Sequence, residues 1–156
     1  MKSESVSPSN LWMRIIRGGV RLLTWYGWAP LVVFAVHCAA SASGLYDRFP
    51  PIDIPMHFAG GFVIAFFLAG ALENFSREGL IEKPAGVVRF VLLLALTMAV
   101  TVLWEFAEWT LDAFNGNHEI QISINNIMRD QLMGALGGLT FLATSAAFRK
   151  FLKKNA

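Results

Sequence analysis

Long apolar stretches alternate with short polar segments along this chain, and four of them are long enough to cross a lipid bilayer. They cover approximately residues 22–46, 54–73, 87–112 and 130–149. A helix needs about 20 residues to cross a hydrocarbon core of about 30 Å. Four such stretches in 156 residues leave too little polar chain to cover a soluble core of that size. The pattern therefore predicts an all-α integral membrane protein built as a four-helix bundle.

The segment in front of the first stretch has a different pattern, because apolar residues there are mixed with Arg14, Arg17 and Arg21. This mixture predicts a basic amphipathic helix that lies on the anionic surface of the membrane. We therefore expect an N-terminal segment at residues 1–21 and a four-helix membrane domain at residues 22–156. A cleaved signal peptide is the alternative, but the basic region is longer than such peptides usually carry.

Composition agrees with a membrane protein and excludes other classes. Hydrophobic residues make up 55% of the chain and charged residues only 15%, where soluble domains have about 25% charged residues. The net charge of +2 is too small to indicate a nucleic-acid partner. The single cysteine, Cys38, has no second cysteine in these residues with which to form a disulfide.

Positive residues are distributed unevenly among the loops. They concentrate before the first stretch, between the second and third, and after the fourth, whereas the other two loops hold only Arg48 and Arg129. The positive-inside rule then places both termini in the cytoplasm and residues 47–53 and 112–130 outside. We therefore expect a multi-pass protein of a bacterial inner membrane, with the lipid bilayer as its constant partner.

Several ionisable residues interrupt the apolar stretches, and the predicted topology places them at one depth. Glu105 and Glu108 share a helix face with Thr97 and Thr101. An ionised group inside a membrane is costly, so this face should point into the bundle. Near the same outer level lie further polar residues of the other helices: His37, Asp53, His57 and Asp130. The predicted site consists of His57, Glu105, Glu108 and Asp130, with Asp53 beside them.

Carboxylates crowded in a low-dielectric site repel one another unless a cation lies between them. That cation could be a protonated His57, a divalent metal or a bound ligand. One histidine with several carboxylates suits Mn, Fe or Zn, and the absence of a second Glu-x-x-Glu motif argues against a di-metal site. The same side chains could serve as general acids and bases. Whether the protein is an enzyme stays open.

Simpler interpretations exist for each of these residues. Glu105 and Glu108 could form hydrogen bonds between helices without binding anything. Asp53 and Asp130 could be helix N-caps at the membrane surface. Gly134 and Gly138 allow a second helix to approach closely, which would suit a helix-packing partner.

Three sequence elements resemble the YjdF-like bacterial inner-membrane proteins. These elements are Asp53-Ile-Pro-Met-His57-Phe-Ala-Gly, Trp104-Glu105-Phe-Ala-Glu108-Trp109 and Asn126-Ile-Met-Arg-Asp130. The last differs from that family, which has Asp where this chain has Asn126. The resemblance implies a small multi-pass inner-membrane protein and, through the VanZ-like proteins, a role in the cell envelope. It supplies no reaction.

The sequence thus leaves three functions open. The first is an outward-facing site for a divalent metal or for an envelope or lipid headgroup, with or without hydrolytic or transferase chemistry. The second is a proton- or ion-coupled transporter, because intramembrane carboxylates and histidines often relay protons. The third is an accessory subunit of an envelope complex.

Overall fold

The computed structural model describes residues 8–114 and 124–154, with side chains described over residues 10–111, 113–114 and 124–148. Every regular element in these residues is helical, which confirms the predicted all-α class. The helices are α1 (Pro8–Tyr26), α2 (Trp28–Ala42), α3 (Leu45–Arg48), a 3-10 turn (Pro50–Ile52), α4 (Asp53–Arg77), α5 (Gly86–Phe114) and α6 (Ile124–Lys154). By length and composition α4, α5 and α6 could each cross a membrane, and α1 with α2 could form a fourth, bent span.

The first predicted span, residues 22–46, is divided among three helices. The axes of α1 and α2 meet at an angle of 53° around Gly27. Pro30 lies in the first turn of α2 and has no N–H to donate to the carbonyl of Tyr26, so the helical hydrogen-bond ladder is interrupted there. A second break follows at Gly44, whose φ of 65° places it in the left-handed region. Hydropathy showed the apolar run but not these two breaks.

The predicted boundary between residues 21 and 22 is not a break in the structure, because α1 continues to Tyr26. One face of α1 packs on α4, where Gly18 lies against Phe75 and Leu22 is buried. Arg14 donates to the backbone carbonyl of Glu78, at the C-terminal end of α4. The helix is amphipathic, as expected, and part of its apolar side is used within the protein. Its predicted place on the membrane surface stays a prediction.

Helices α4 and α6 run parallel and approach each other through glycines. A Cβ atom on Gly61 would overlap the carbonyl oxygen of Gly134, and one on Gly137 would overlap the carbonyl oxygen of Phe58. Small residues allow such backbone contact between membrane helices. Gly134 also faces Thr101 of α5, where an added Cβ would lie 2.6 Å from the threonine methyl. This glycine, which the sequence suggested for a partner, thus packs on helices of its own chain.

The apolar core and the polar residues occupy opposite ends of the bundle. The core consists of Ala69, Leu72, Leu93 and Leu142. It lies toward the end of the bundle that carries Glu73, which we name the Glu73 end. The opposite end, where α4 and α6 begin and α5 finishes, is named the His57 end. Pro50 and Pro51 lie in the 3-10 turn before α4, and Pro55 lies in the first turn of α4, where a missing N–H group costs little. His57 follows one turn inside the helix.

Candidate functional site

Three helices bring the predicted site residues together at the His57 end. Ligand atoms of Asp53, His57 and Asp130 lie within 4.8 Å of one another, and so do those of His57, Glu105 and Glu108. We name these sets the aspartate triplet and the glutamate triplet. His57 belongs to both and is only 8% exposed. All five predicted residues are thus found in two adjoining groups.

The aspartate triplet is neutralised by a cation that sequence analysis did not assign to it. Nη2 of Arg129 lies 2.9 Å from Oδ2 of Asp53 and 3.0 Å from Oδ1 of Asp130. Asn126 donates to the other oxygen of Asp130 at 2.8 Å. Asp130 is therefore satisfied although its residue is only 1% exposed. The signal in the sequence is the position of Arg129 next to Asp130, although the loading of positive charge on the loops predicts a place for Arg129 in the loop at residues 112–130.

The structure contradicts the N-cap interpretation of the two aspartates. Helix α6 begins at Ile124 and not near residue 130, where the sequence predicts its start. Asp130 therefore lies inside the helix. Asp53 is the first residue of α4, while the capping position belongs to Ile52 and no side chain forms a cap hydrogen bond. Both carboxylates contact Arg129 instead of helix N–H groups.

The glutamate triplet has no comparable cation among the described residues. Nδ1 of His57 lies 3.6 Å from Oε1 of Glu105. That buried oxygen of Glu105 has no hydrogen-bond partner. Oε1 of Glu108 lies 3.8 Å from Nε2 of His37. Glu105 therefore faces Nδ1 of His57 with an oxygen that lacks a partner, and a carboxylate oxygen of Glu108 lies within 4.8 Å of both residues.

The two nitrogens of His57 face different partners. Nε2 lies 3.2 Å from Oδ1 of Asp53, and Nδ1 points toward Glu105. Metal-binding histidines usually donate their second N–H to a carboxylate, which fixes the ring orientation and leaves the other nitrogen as a ligand. Asp53 occupies this orienting position and is itself held by Arg129. Asp53 thus orients the ring of His57 so that Nδ1 faces Glu105.

His37 supports the site from α2. Its Nδ1 lies 2.8 Å from the hydroxyl of Tyr46, so the ring is hydrogen-bonded. Burial, with the nearby charges of Asp53 and Glu108, raises the pKa of Tyr46 to about 12. Tyr46 therefore stays protonated and can donate to Nδ1 of His37.

The polar stripe on α5 continues from the site toward the core and stops there. Thr101 lies 2.8 Å from Oε1 of Gln131 and donates to it or to the backbone of Met98. Thr97 donates to the carbonyl of Leu93, a core residue that is 1% exposed. The side chain of Asp112 and residues 115–123 lie outside the described residues.

A cleft of about 190 Å³ adjoins the site between α2, α4 and α5. Its walls are mainly apolar and include Phe34, Ile64, Val100 and Trp104. His37 and His57 also line it, so the polar site and the apolar cleft share a boundary. An added Cβ on Gly60, another lining residue, would meet no atom within 4 Å.

Fold and site together define a helical membrane protein with a buried histidine–carboxylate cluster. A family described as "Predicted membrane protein (DUF2238)" matches residues 11–151, and the chain belongs to this family. The chain is also similar to an uncharacterized protein of Thermotoga maritima, with 33% identity over 95 residues that cover 61% of this chain and 47% of the relative. The match therefore spans about half the length of that relative. No solved structure matches this chain.

Proposed function

We propose that this protein binds one divalent metal ion through Nδ1 of His57 and the carboxylates of Glu105 and Glu108. The observation that supports this most directly is the division of roles at His57. Its Nε2 is held by Asp53, while its Nδ1 faces a buried glutamate oxygen that lacks a partner. This is the arrangement by which proteins orient a metal-binding histidine.

Charge favours the glutamate triplet over the aspartate triplet as the metal site. Arg129 already contacts both aspartates, so a second cation there would be repelled. The glutamates carry up to two negative charges, which a divalent ion would balance. One imidazole and two carboxylates suit Mn, Fe or Zn, and three protein ligands leave a coordination position for water or a ligand. An ion held in this way can act as a Lewis acid.

The uneven distribution of Lys and Arg supports an orientation with the His57 end outside a bacterial inner membrane and both termini in the cytoplasm. The site would then open toward the cell envelope. The resemblance to YjdF-like and VanZ-like proteins supports an envelope role in the same sense. Hydrolysis or group transfer on an envelope molecule is the chemistry that such a metal would supply.

Metal content and affinity of the purified protein test this proposal. The full chain in detergent is stripped with a chelator, incubated with Mn²⁺ or Zn²⁺, passed through gel filtration and analysed for metal. We expect about one ion per chain in the unchanged protein and none in the double variant Glu105→Gln/Glu108→Gln. Glu73→Gln is the matched control, because Glu73 lies at the opposite end and pairs with Arg77 and Lys83.

A second variant tests the role of the aspartate. Asp53→Asn removes the charge that orients His57 but no metal ligand, so we expect metal affinity to fall about 10- to 100-fold. Equal and negligible metal in the unchanged protein and in the double glutamate variant would refute the metal site.

Ion or proton transport is less well supported by the described residues. No Asp, Glu, His, Lys or Arg lies on α4 between His57 and Glu73, or on α5 between Arg89 and Glu105. The polar stripe ends at Leu93 in the core. A transport path through the bundle would have to cross this apolar section.

A further inference from the structure

We propose that the ligand of this site is a membrane amphiphile with a phosphate headgroup, and this inference rests on the metal site proposed above. Its alkyl chain would lie in the cleft between α2, α4 and α5. Its phosphate would reach the metal held by His57, Glu105 and Glu108.

The cleft and the site are connected through shared residues. His37 and His57 line the cleft and also contact Glu108 and Glu105. Trp104 forms part of the cleft wall and contacts the ring of His37 edge-on, with ring centroids 5.0 Å apart. A molecule with its polar group at the glutamate triplet therefore continues directly into the cleft.

The chemistry of the cleft walls fits a hydrocarbon chain. Beyond the two histidines, the walls consist of apolar side chains, glycines and Thr101. The hydroxyl of Thr101 is already hydrogen-bonded to Gln131 or to its own helix. Walls that offer so few polar groups favour an apolar ligand over ordered water. The volume of about 190 Å³ is enough for the section of a chain next to its headgroup.

The location of the cleft indicates a lipid as the source of that chain. Its walls on α4 and α5 belong to the two most apolar of the three unbroken candidate spans, with mean hydropathies of 1.7 and 2.3. The polar group must then meet a divalent cation held by a histidine and two carboxylates. A phosphate supplies anionic oxygen ligands that complete the coordination of such an ion. A phosphate ester with an alkyl tail satisfies both ends of the site at once.

Gly60 offers a way to fill the cleft without changing a proposed metal ligand. A Cβ added there meets no atom within 4 Å, so a larger side chain would extend into the cleft. Gly60→Leu is the blocking variant. Gly19→Leu on α1 is the matched control, because a Cβ on Gly19 also meets no atom within 4 Å and Gly19 does not line the cleft. Val100→Phe blocks the opposite wall and serves as a second blocking variant if Gly60→Leu does not fold.

The experiment uses the full chain in detergent, loaded with Mn²⁺ and freed of excess metal. Dodecyl phosphate is added, and line broadening of its phosphorus resonance by Mn²⁺ reports a phosphate close to the metal. Inorganic phosphate is the comparison sample, and a mixture that contains dodecanol but no phosphate is the blank. Retained Mn²⁺ is measured in each sample. We expect strong broadening of dodecyl phosphate and much weaker broadening of inorganic phosphate at the same concentration. Gly60→Leu should retain Mn²⁺ but lose this difference, and Gly19→Leu should keep it.

The outcomes separate this inference from the proposed function. If Mn²⁺ is retained but dodecyl phosphate is broadened no more than inorganic phosphate, the amphiphile is refuted and the metal site stands. The same holds if both blocking variants broaden it as strongly as the unchanged protein. If no Mn²⁺ is retained by the unchanged protein, the proposed function fails, and the inference fails with it.

Discussion

Replacing Arg129 by glutamine tests the arrangement on which the whole site depends. Arg129→Gln keeps a polar side chain but removes the only cation that the described residues place against both Asp53 and Asp130. Two carboxylates would then lie beside His57 without that neutralisation. We expect a loss of stability that depends on the negative charge of Asp130.

The size of the loss follows from the burial of the three side chains. Removing one partner of a fully buried ion pair costs about 3–5 kcal/mol. Asp130 meets that condition with a side chain 2% exposed, but those of Asp53 and Arg129 are 24% and 38% exposed. Solvent screening at these two groups reduces the expected cost to about 2–3 kcal/mol. This corresponds to an unfolding equilibrium shifted about 30- to 150-fold.

The assay is reversible unfolding in mixed micelles with increasing sodium dodecyl sulfate, followed by far-ultraviolet circular dichroism. A chelator is present throughout, so that the proposed binding of metal by the glutamate triplet does not contribute. Arg48→Gln is the control, because Arg48 is exposed on α3 and its replacement should change stability by less than about 0.5 kcal/mol.

A double-mutant cycle with Asp130→Asn decides whether the reasoning holds. If Arg129 acts by neutralising Asp130, Arg129→Gln should cost much less once that charge is gone. Destabilisations that simply add in the double variant would show that the two residues are not coupled. The interpretation of the aspartate triplet as a closed ion-pair network would then be wrong.

Two further predictions concern packing and ionisation. Gly61→Ala should lower the free energy of unfolding by about 1–3 kcal/mol, because the added Cβ overlaps the Gly134 carbonyl oxygen. Gly60→Ala is the control and should be neutral or stabilising, since a Cβ there meets no atom within 4 Å. Thermal unfolding measures both variants, and equal losses of stability would contradict the close contact of α4 with α6. Because the pKa of Tyr46 is raised from 10.0 to about 12, its contribution to stability is fully present below pH 10 and is lost as pH rises toward 12. The difference in tyrosinate absorbance between the unchanged protein and Tyr46→Phe should therefore have its midpoint near pH 12, and a midpoint near 10 would refute this.

Apolar runs and helical periodicity were sufficient to predict the helical class and the meeting of the five predicted site residues at one end. Their success has a physical reason, since charged groups in apolar helices must face the interior and helix direction alternates along the chain. Helix breaks were harder to predict. The bend at Gly27 depends on the missing N–H of Pro30, and an average of hydropathy over many residues does not detect one absent hydrogen bond.

The role of Arg129 was also beyond the sequence. Residues 124–129 look polar enough for a loop, so the charge of Arg129 was assigned to the membrane surface. In the structure these residues form the first turns of α6, and the helix points Arg129 toward α4. Only the relative position of two helices that are distant in sequence could show that it pairs with Asp53.

The glycine contacts between α4 and α6 also determine which parts of the site can move. Backbone lies directly on backbone there, with no layer of side chains that could rearrange. Asp53, His57, Arg129 and Asp130 therefore belong to a single rigid frame. Glu105, Glu108 and His37 are carried by α5 and α2, so any widening of the cleft must displace one of these helices relative to the frame. Entry of a ligand from the side would then require a transient movement of α5 or α2 that separates the glutamates from His57. Their return after entry would close the proposed metal site around the headgroup of the ligand.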